Sequence, residues 1–440
     1  MKKLFLTYFL FALVCGAHAQ VIVTAVGGGF GGDGGPALGA ALGTPFGLAL
    51  DDSGNLYICD VSDRRIRKVT PGYGGIITTI AGNGTIGYSG DGGLGIYAQI
   101  NGGVDVAVDR HGNVYIADAG NGCIRKVTPE DTITTIAGTG VAGYNGDSIP
   151  ATAAQLNGPT GIAVDGIGNL YIADESNHRI RKVDTAGIIT TIAGTGMAGF
   201  SPDGSRADTA KLDSLYSLRF DKTGNLFFTD NIRIRKMDTA GIITTVAGIG
   251  IEGFSGDSGM ATAAEIEIDA ISIDSSGNIY MAEGATNRVR KITTDGIVNT
   301  IAGTGFTGYS GDYGNPLLAE FRGVSGIVVS TTGDIFISDE GNQVVRLITR
   351  HPLSINKYSY VQENLNVFPN PSNSICTIQV STPASEQAEI TITNITGTEV
   401  CKFVTATNQP YSIKLDWPAG IYIINAATEH EHFTEKLIVQ

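Results

Sequence analysis

The sequence is poor in tryptophan, histidine, cysteine and charge. Of 440 residues one is Trp, six are His and five are Cys, and charged residues amount to 16%. So little charge argues against an all-helical chain. No CxxC pair and no Cys/His spacing of the zinc-finger kind occurs, which removes a structural zinc site of that type. Also missing are His-x-Glu-x-x-His, Gly-x-Ser-x-Gly and Gly-Lys-Ser/Thr, and with them the zinc-protease, serine-esterase and phosphate-loop chemistries those patterns serve. The formal net charge of -14 argues against the nucleic-acid backbone as partner, because neutralising phosphates needs a basic surface. Cations, sugars and proteins stay open as partners.

Glycine is abundant, at 61 residues, and signals many tight turns. The longest apolar run, residues 4–15, is too short to span a bilayer. It follows Lys2 and Lys3 and precedes Ala17-His18-Ala19, the three-part layout of a signal peptide. Residues 1–19 are therefore expected to be removed, with cleavage before Gln20. Cys15 invites a lipoprotein reading, but Val14 is larger than the residue usual before a lipidated cysteine. Of the other cysteines, nothing pairs Cys59 with Cys123, whereas Cys376 and Cys401 lie on neighbouring apolar segments and could bond in an exported protein.

From residue 20 to 350 a unit of about 56 residues repeats. Its clearest copy, 157–194, reads NGPTGIAVDGIGNLYIADESNHRIRKVDTAGIITTIAG. Four short runs rich in Ile, Val, Thr and Tyr are separated by hairpin-length Asp/Gly/Asn turns, so each copy is predicted to be a four-stranded antiparallel meander. The Gly-Asn pair opening the second strand recurs at Asn55, Asn113, Asn169, Asn225 and Asn278, with Asp334 sixth. One such sheet cannot bury both faces, but neighbours stacked around an axis can. The prediction is an all-β chain with a six-bladed β-propeller. The outer strand appears only five times after the inner strands, while VIVTAVG (21–27) stands alone at the start. The N-terminal strand is thus expected to complete the last blade and close the ring.

Two features recur in every unit. The first is an aromatic residue three before Asp: Phe30/Asp33, Tyr88/Asp91, Tyr144/Asp147, Phe200/Asp203, Phe254/Asp257 and Tyr309/Asp312. Short Ala-rich stretches follow several of them, so Asp is read as a helix cap and the aromatic as packing between blades; calcium binding is the rival reading. The second is an acid ending the second strand (Asp60, Asp118, Asp174, Asp230, Glu283, Asp339) and an Arg in the third (Arg67, Arg125, Arg181, Arg235, Arg290, Arg346). An Arg–carboxylate pair across each hairpin is the structural reading, and an acidic binding ring the functional one.

Binding is therefore sought where the copies differ. The first strand should line the channel, and Asp105 and Arg219 are the outliers there. Asn101, Asn157, Asp213, Glu267, Asp269 and Arg322 are expected around the channel mouth. Convergent carboxylates and amides could hold a divalent cation such as calcium, although no cofactor is otherwise implied.

GPTGIAVDGIGNLYIADESNHRIRKV closely resembles the NHL repeat, with Asn177-His178-Arg179 at the naming position. The resemblance covers 21 to about 350 and implies a binding platform for protein, glycan or nucleic acid. Gluconolactonase-like six-bladed enzymes imply an alternative, a metal-dependent lactonase or hydrolase using Asp105, Asp213, Glu267 and Asp269. The histidine-bound zinc of peptide-amidating lyases has no counterpart, since His111 and His178 fall in turns and His351, His430 and His432 beyond the repeats. The fourth copy, Asp230-Asn231-Ile232-Arg233, is two residues short, so its turn must differ. Asp184-Thr185-Ala186, Asp208-Thr209-Ala210 and Asp238-Thr239-Ala240 resemble O-glycosylation sites of exported Bacteroidota proteins and read equally well as turns.

After a polar linker, 351–362, residues 363–440 alternate apolar residues and turns as a small β-sandwich does. VFPNPS (367–372), Gly420-Ile421-Tyr422 and the terminal EKLIVQ closely resemble the C-terminal sorting domain of type IX secretion substrates. That implies contact with the secretion machinery and delivery across the outer membrane, to the cell surface or beyond. The expected whole is an exported propeller that binds an extracellular protein or glycan.

Overall fold

A computed structural model describes residues 20–350, 364–368, 372, 375–381, 387–407, 409–428 and 432–439. The expected signal peptide and linker lie outside these residues. Two compact units divide the chain, Met1–Pro352 and Leu353–Gln440. Among the described residues regular structure is strand, with only single-turn 3-10 helices between.

The first unit is a β-propeller built from six sheets of four or five strands. In the third repeat the inner-to-outer order is Pro159–Val164, Leu170–Asp174, Arg179–Val183 and Ile188–Ala193, all antiparallel. Four of the six second strands are buried from end to end, as in Val114–Asp118, because each sheet has a neighbour on both faces. Alternation along that strand divides its side chains. Ile116 packs with Cys59 and Ile66 of the preceding repeat, while Tyr115 and Ala117 pack with Leu156 and Ile172 of the following one.

Val21–Gly31 runs antiparallel to Val344–Thr349, with Val21 opposite Thr349 and Gly27 opposite Val344. Inner strands contact their successors in chain order, and Val324–Val329 of the last repeat contacts Pro45–Leu50 of the first. There the Ser338 hydroxyl donates to the Phe46 carbonyl at 2.6 Å and Ser325 to Pro45 at 3.2 Å. Gly326 permits the approach, since a Cβ on it would lie 2.0 Å from the Phe46 oxygen. No sheet closes on itself among the described residues.

The two recurring sequence features turn out to be one device. Each third-strand Arg, at most 4% exposed, lies between the loop Asp and the second-strand acid. Arg125 meets Asp91 at 2.7 Å and Asp118 at 3.6 Å; Arg181 meets Asp147 at 3.0 Å and Asp174 at 3.5 Å. The same holds for Arg67, Arg235, Arg290 and Arg346. The loop aromatic lies over the guanidinium instead of between blades, for example Tyr144 at 4.8 Å from Arg181 and Phe254 at 5.0 Å from Arg290. Phe30 departs from this and is fully exposed. The capping role expected of the loop Asp is likewise incorrect. Pro150, Arg206 and Met260 precede the helical turns Ala151–Ala153, Ala207–Thr209 and Ala261–Ala263, and no side chain caps them. The Asp is held by Arg instead, a charged partner that outbids neutral N–H groups.

Sequence reasoning also overlooked short extra strands. Ile149–Pro150, Ser205–Arg206 and Gly259–Met260 each add to the outer strand of the sheet that follows. The shortened fourth turn does differ: it lacks the helical turn that Ala119–Asn121, Glu175–Asn177 and Glu340–Asn342 form in three of its counterparts, and the Asp230 N–H donates to the Arg233 carbonyl at 2.9 Å.

The second unit has a three-stranded sheet (Asn364–Phe368, Ile375–Ser381, Tyr411–Lys414) and a four-stranded sheet (Glu399–Ala406, Gln387–Asn394, Gly420–Ala427, His432–Val439). Ile378 and Val380 of the first share a core with Ile390, Ile424 and Leu437 of the second. Cys376 and Cys401 stand on different sheets and are both free thiols, so the disulfide that export would permit is not formed.

Removing a guanidinium from between two carboxylates leaves buried charge unpaired. Arg181→Ala should cost about 3–5 kcal/mol, and Asp147→Asn, which keeps a hydrogen-bonding group, roughly 1 kcal/mol. The denaturant midpoint of the full chain checks both, and an Arg181→Ala protein as stable as its parent would remove the bracing role.

Candidate functional site

The inner strands surround a cavity of about 350 Å³ lined by residues of all six repeats. Phe46, Leu48, Val104 and Ile327 supply apolar wall, and Asp105, Arg219 and Asp269 the charge. Several lining side chains first serve the frame. The Asp105 carboxylate accepts the Ile162 N–H at 3.0 Å and Ser217 accepts that of Ile271 at 3.3 Å, tying each strand to the next around the channel. Gly47 is needed beside Asp105, where a Cβ would sit 2.6 Å from the Val104 carbonyl.

The outliers Asp105 and Arg219 meet across 114 residues. Arg219 Nη1 is 3.4 Å from Asp105 Oδ2 and also donates to the carbonyls of Leu218 at 2.7 Å and Ile162 at 3.4 Å. Among the described residues Nε and Nη2 of Arg219 have no hydrogen-bond partner.

Of the residues expected at the mouth, only Asp269 lines the cavity. Asn101, Asn157, Asp213 and Arg322 instead donate their backbone N–H to Asp118, Asp174, Asp230 and Asp339, each at 2.8 Å. That bond explains why the second-strand acid recurs: one oxygen holds the loop entering the first strand, and the other faces Arg. Asp213 also lies 3.7 Å from Nδ1 of His178, a pairing invisible in sequence. Glu267 sits by Asp269 at the turn Gly284-Ala285; Asp269 accepts the Gly284 N–H at 3.2 Å and Glu267 that of Ala285 at 3.0 Å. Among the described residues no three His, Cys, Asp or Glu side chains gather as metal ligands would, so the carboxylates proposed to converge are dispersed. Tyr216, 46% exposed on the cavity wall, was missed; it precedes the channel residue Ser217, and its neighbour's departure from the repeat was the available signal.

The acids divide electrostatically. Burial opposes ionisation of Asp91, but the Thr135 hydroxyl and the Arg125 charge outweigh it and hold the carboxyl below its ordinary range. Burial wins at Asp118 and raises it in spite of Asn121, Asn101 and Arg125. At the mouth, burial and then the Asp269 charge push Glu267 to about 8, burial lifts Asp269 to about 6, and burial lifts Glu283 to about 7. The folded state thus holds protons that the unfolded chain has released, so the stability contributed by these groups is full below about pH 4 and is lost as pH rises through about 6 to 8. The melting temperature of the full chain should fall over that window. Glu267→Gln should flatten the fall, and an unchanged slope would sink the assignment.

Residues 366–440 match the family described as "Secretion system C-terminal sorting domain", and residues 142–202 match "Teneurin NHL domain". Human Teneurin-1 is 29% identical over 238 residues, 48% of this chain and 9% of Teneurin-1. Teneurin-3 of Danio rerio is 32% identical over 239 residues, 47% of this chain and 8% of that protein. The chain therefore spans under a tenth of the length of these relatives. Among solved structures, a protein of unknown function from Bacteroides thetaiotaomicron aligns with a TM-score of 0.56 at 19% identity, covering 75% of this chain and 76% of that one. An auxiliary nutrient binding protein of the same organism aligns with a TM-score of 0.55 at 16% identity, covering 75% and 76%. At such identities the likeness is one of fold. Sorting domains of this kind direct export by type IX secretion to the cell surface or outside. The chain thus carries a secretion-system C-terminal sorting domain over residues 366–440, and residues 142–202 of its propeller match an NHL domain.

Proposed function

We propose that this is a six-bladed propeller, closed by its N-terminal strand, that binds a glycan at its central channel after type IX secretion. Residues 1–19 act as signal peptide, 20–350 as the binding ring, 351–362 as linker and 363–440 as the sorting domain. Closure is supported by Thr24, which donates to Asp312 at 2.8 Å as Thr191 of an ordinary outer strand donates to Asp147 at 3.0 Å.

One observation carries the choice of glycan. The cavity combines an exposed aromatic, Tyr216, and half-buried Phe46 with Arg219 and Asp269. A sugar ring offers both a C–H face for an aromatic and hydroxyls for charged groups, and a cavity of about 350 Å³ is of the size that takes a small ligand or chain end. A flat protein surface would use the rim instead. That a protein of like fold is named for nutrient binding agrees with this choice.

A second reading, a hydrolase at the channel mouth, draws on the raised Glu267 and Asp269, since a carboxylic acid ionising near neutrality can transfer protons. It would take esters or lactones.

Titration calorimetry of the full chain against an oligosaccharide panel tests the first reading. Binding should appear for a subset of chain ends, and Tyr216→Ala should weaken it about tenfold, the scale of a lost aromatic contact. No binding, together with turnover of lactones that Asp269→Asn abolishes, would favour the hydrolase.

A further inference from the structure

We propose that the sugar entering the channel carries a carboxylate, as a terminal uronic acid does, and that this group docks on the free edge of Arg219. The inference rests on the glycan reading above and specifies its substrate class.

The argument starts from how this chain treats buried arginines. Each of the six ring arginines is held between two carboxylates, as Arg346 is by Asp312 at 2.8 Å and Asp339 at 3.5 Å. Among the described residues Arg219 is the only cation lining the cavity, its side chain is only 19% exposed, and it has one carboxylate, Asp105. Nη1 is spent on Asp105 and on two carbonyls. Nε and Nη2 bond no described residue. Two parallel N–H groups on one guanidinium edge match the two oxygens of a carboxylate. A ligand carboxylate would complete for Arg219 the arrangement that the protein completes by itself six times elsewhere.

The remaining cavity groups fit the rest of such a sugar. Tyr216, exposed on the cavity wall, offers an aromatic surface for the sugar ring. Asp269 lines the same cavity and can accept hydroxyl hydrogens of the sugar there. Neutral hexoses would leave the guanidinium edge with weaker, uncharged partners, and so should bind less well.

Calorimetry of the full chain compares oligoglucuronides or oligogalacturonides, the same oligosaccharides as methyl esters, and neutral hexose oligomers of equal length. The free acid is expected to bind about tenfold more tightly than its ester or the neutral oligomer, the scale of a charge-assisted hydrogen-bond pair. Arg219→Gln should erase that preference and Arg219→Lys should keep part of it, with melting curves showing both folded. The ester comparison needs no variant, so it decides the matter even if Arg219→Gln fails to fold. Equal affinity for acid and ester overturns the inference while leaving glycan binding in place. Binding of no oligosaccharide overturns both.

Discussion

A guanidinium buried between two carboxylates is the interaction on which the rest of the propeller depends. One carboxylate comes from the second strand of the same sheet and the other from the loop that enters the repeat, so each Arg fastens the loop to its sheet at a fixed place. Burying one ion pair gains little, because desolvation consumes most of the attraction. Two acids change that balance: at Arg125 the burial of loop Asp91 is outweighed by the Thr135 hydroxyl and the Arg charge, which hold it below its ordinary range, while the deeply buried Asp118 also takes the backbone N–H of the residue leading into the first strand. The aromatic lid adds contact over the remaining guanidinium face.

From this bracket follows the separation of frame from site. Six repeats use their conserved-looking charges on themselves, which leaves little sixfold chemistry free to bind anything. What remains is the channel, where the inner strands approach closely enough that glycine is needed at Gly47 and Gly326 and where side chains differ from repeat to repeat. Asp105 belongs to both worlds. It ties two inner strands together through Ile162 and holds one edge of Arg219 in place.

The mouth carries a different kind of asymmetry. Among the described residues Glu267 and Asp269 form no ion pair with an Arg; burial and the Asp269 charge raise Glu267, and burial and the Glu340 charge raise Asp269. An acid raised this way makes stability sensitive to pH near neutrality.

The strands, their order and the sixfold repeat were legible in the sequence because each follows from local alternation and turn residues, with a period short enough to recognise. The tail was legible for the same reason. The Arg–acid pairing across the hairpin was also within reach, since Asp174 and Arg181 are seven residues apart. What the sequence by itself could not determine was the second acid, 34 residues before the Arg, so Asp147 was read as a cap and Tyr144 as inter-blade packing. It likewise could not tell that Asn101, Asn157, Asp213 and Arg322 contribute their backbone and not their side chains, nor that Asp105 and Arg219, 114 residues apart, share one cavity. Those outcomes depend on how the sheets sit around the channel, which is decided by packing between neighbouring repeats and not by any single stretch of chain.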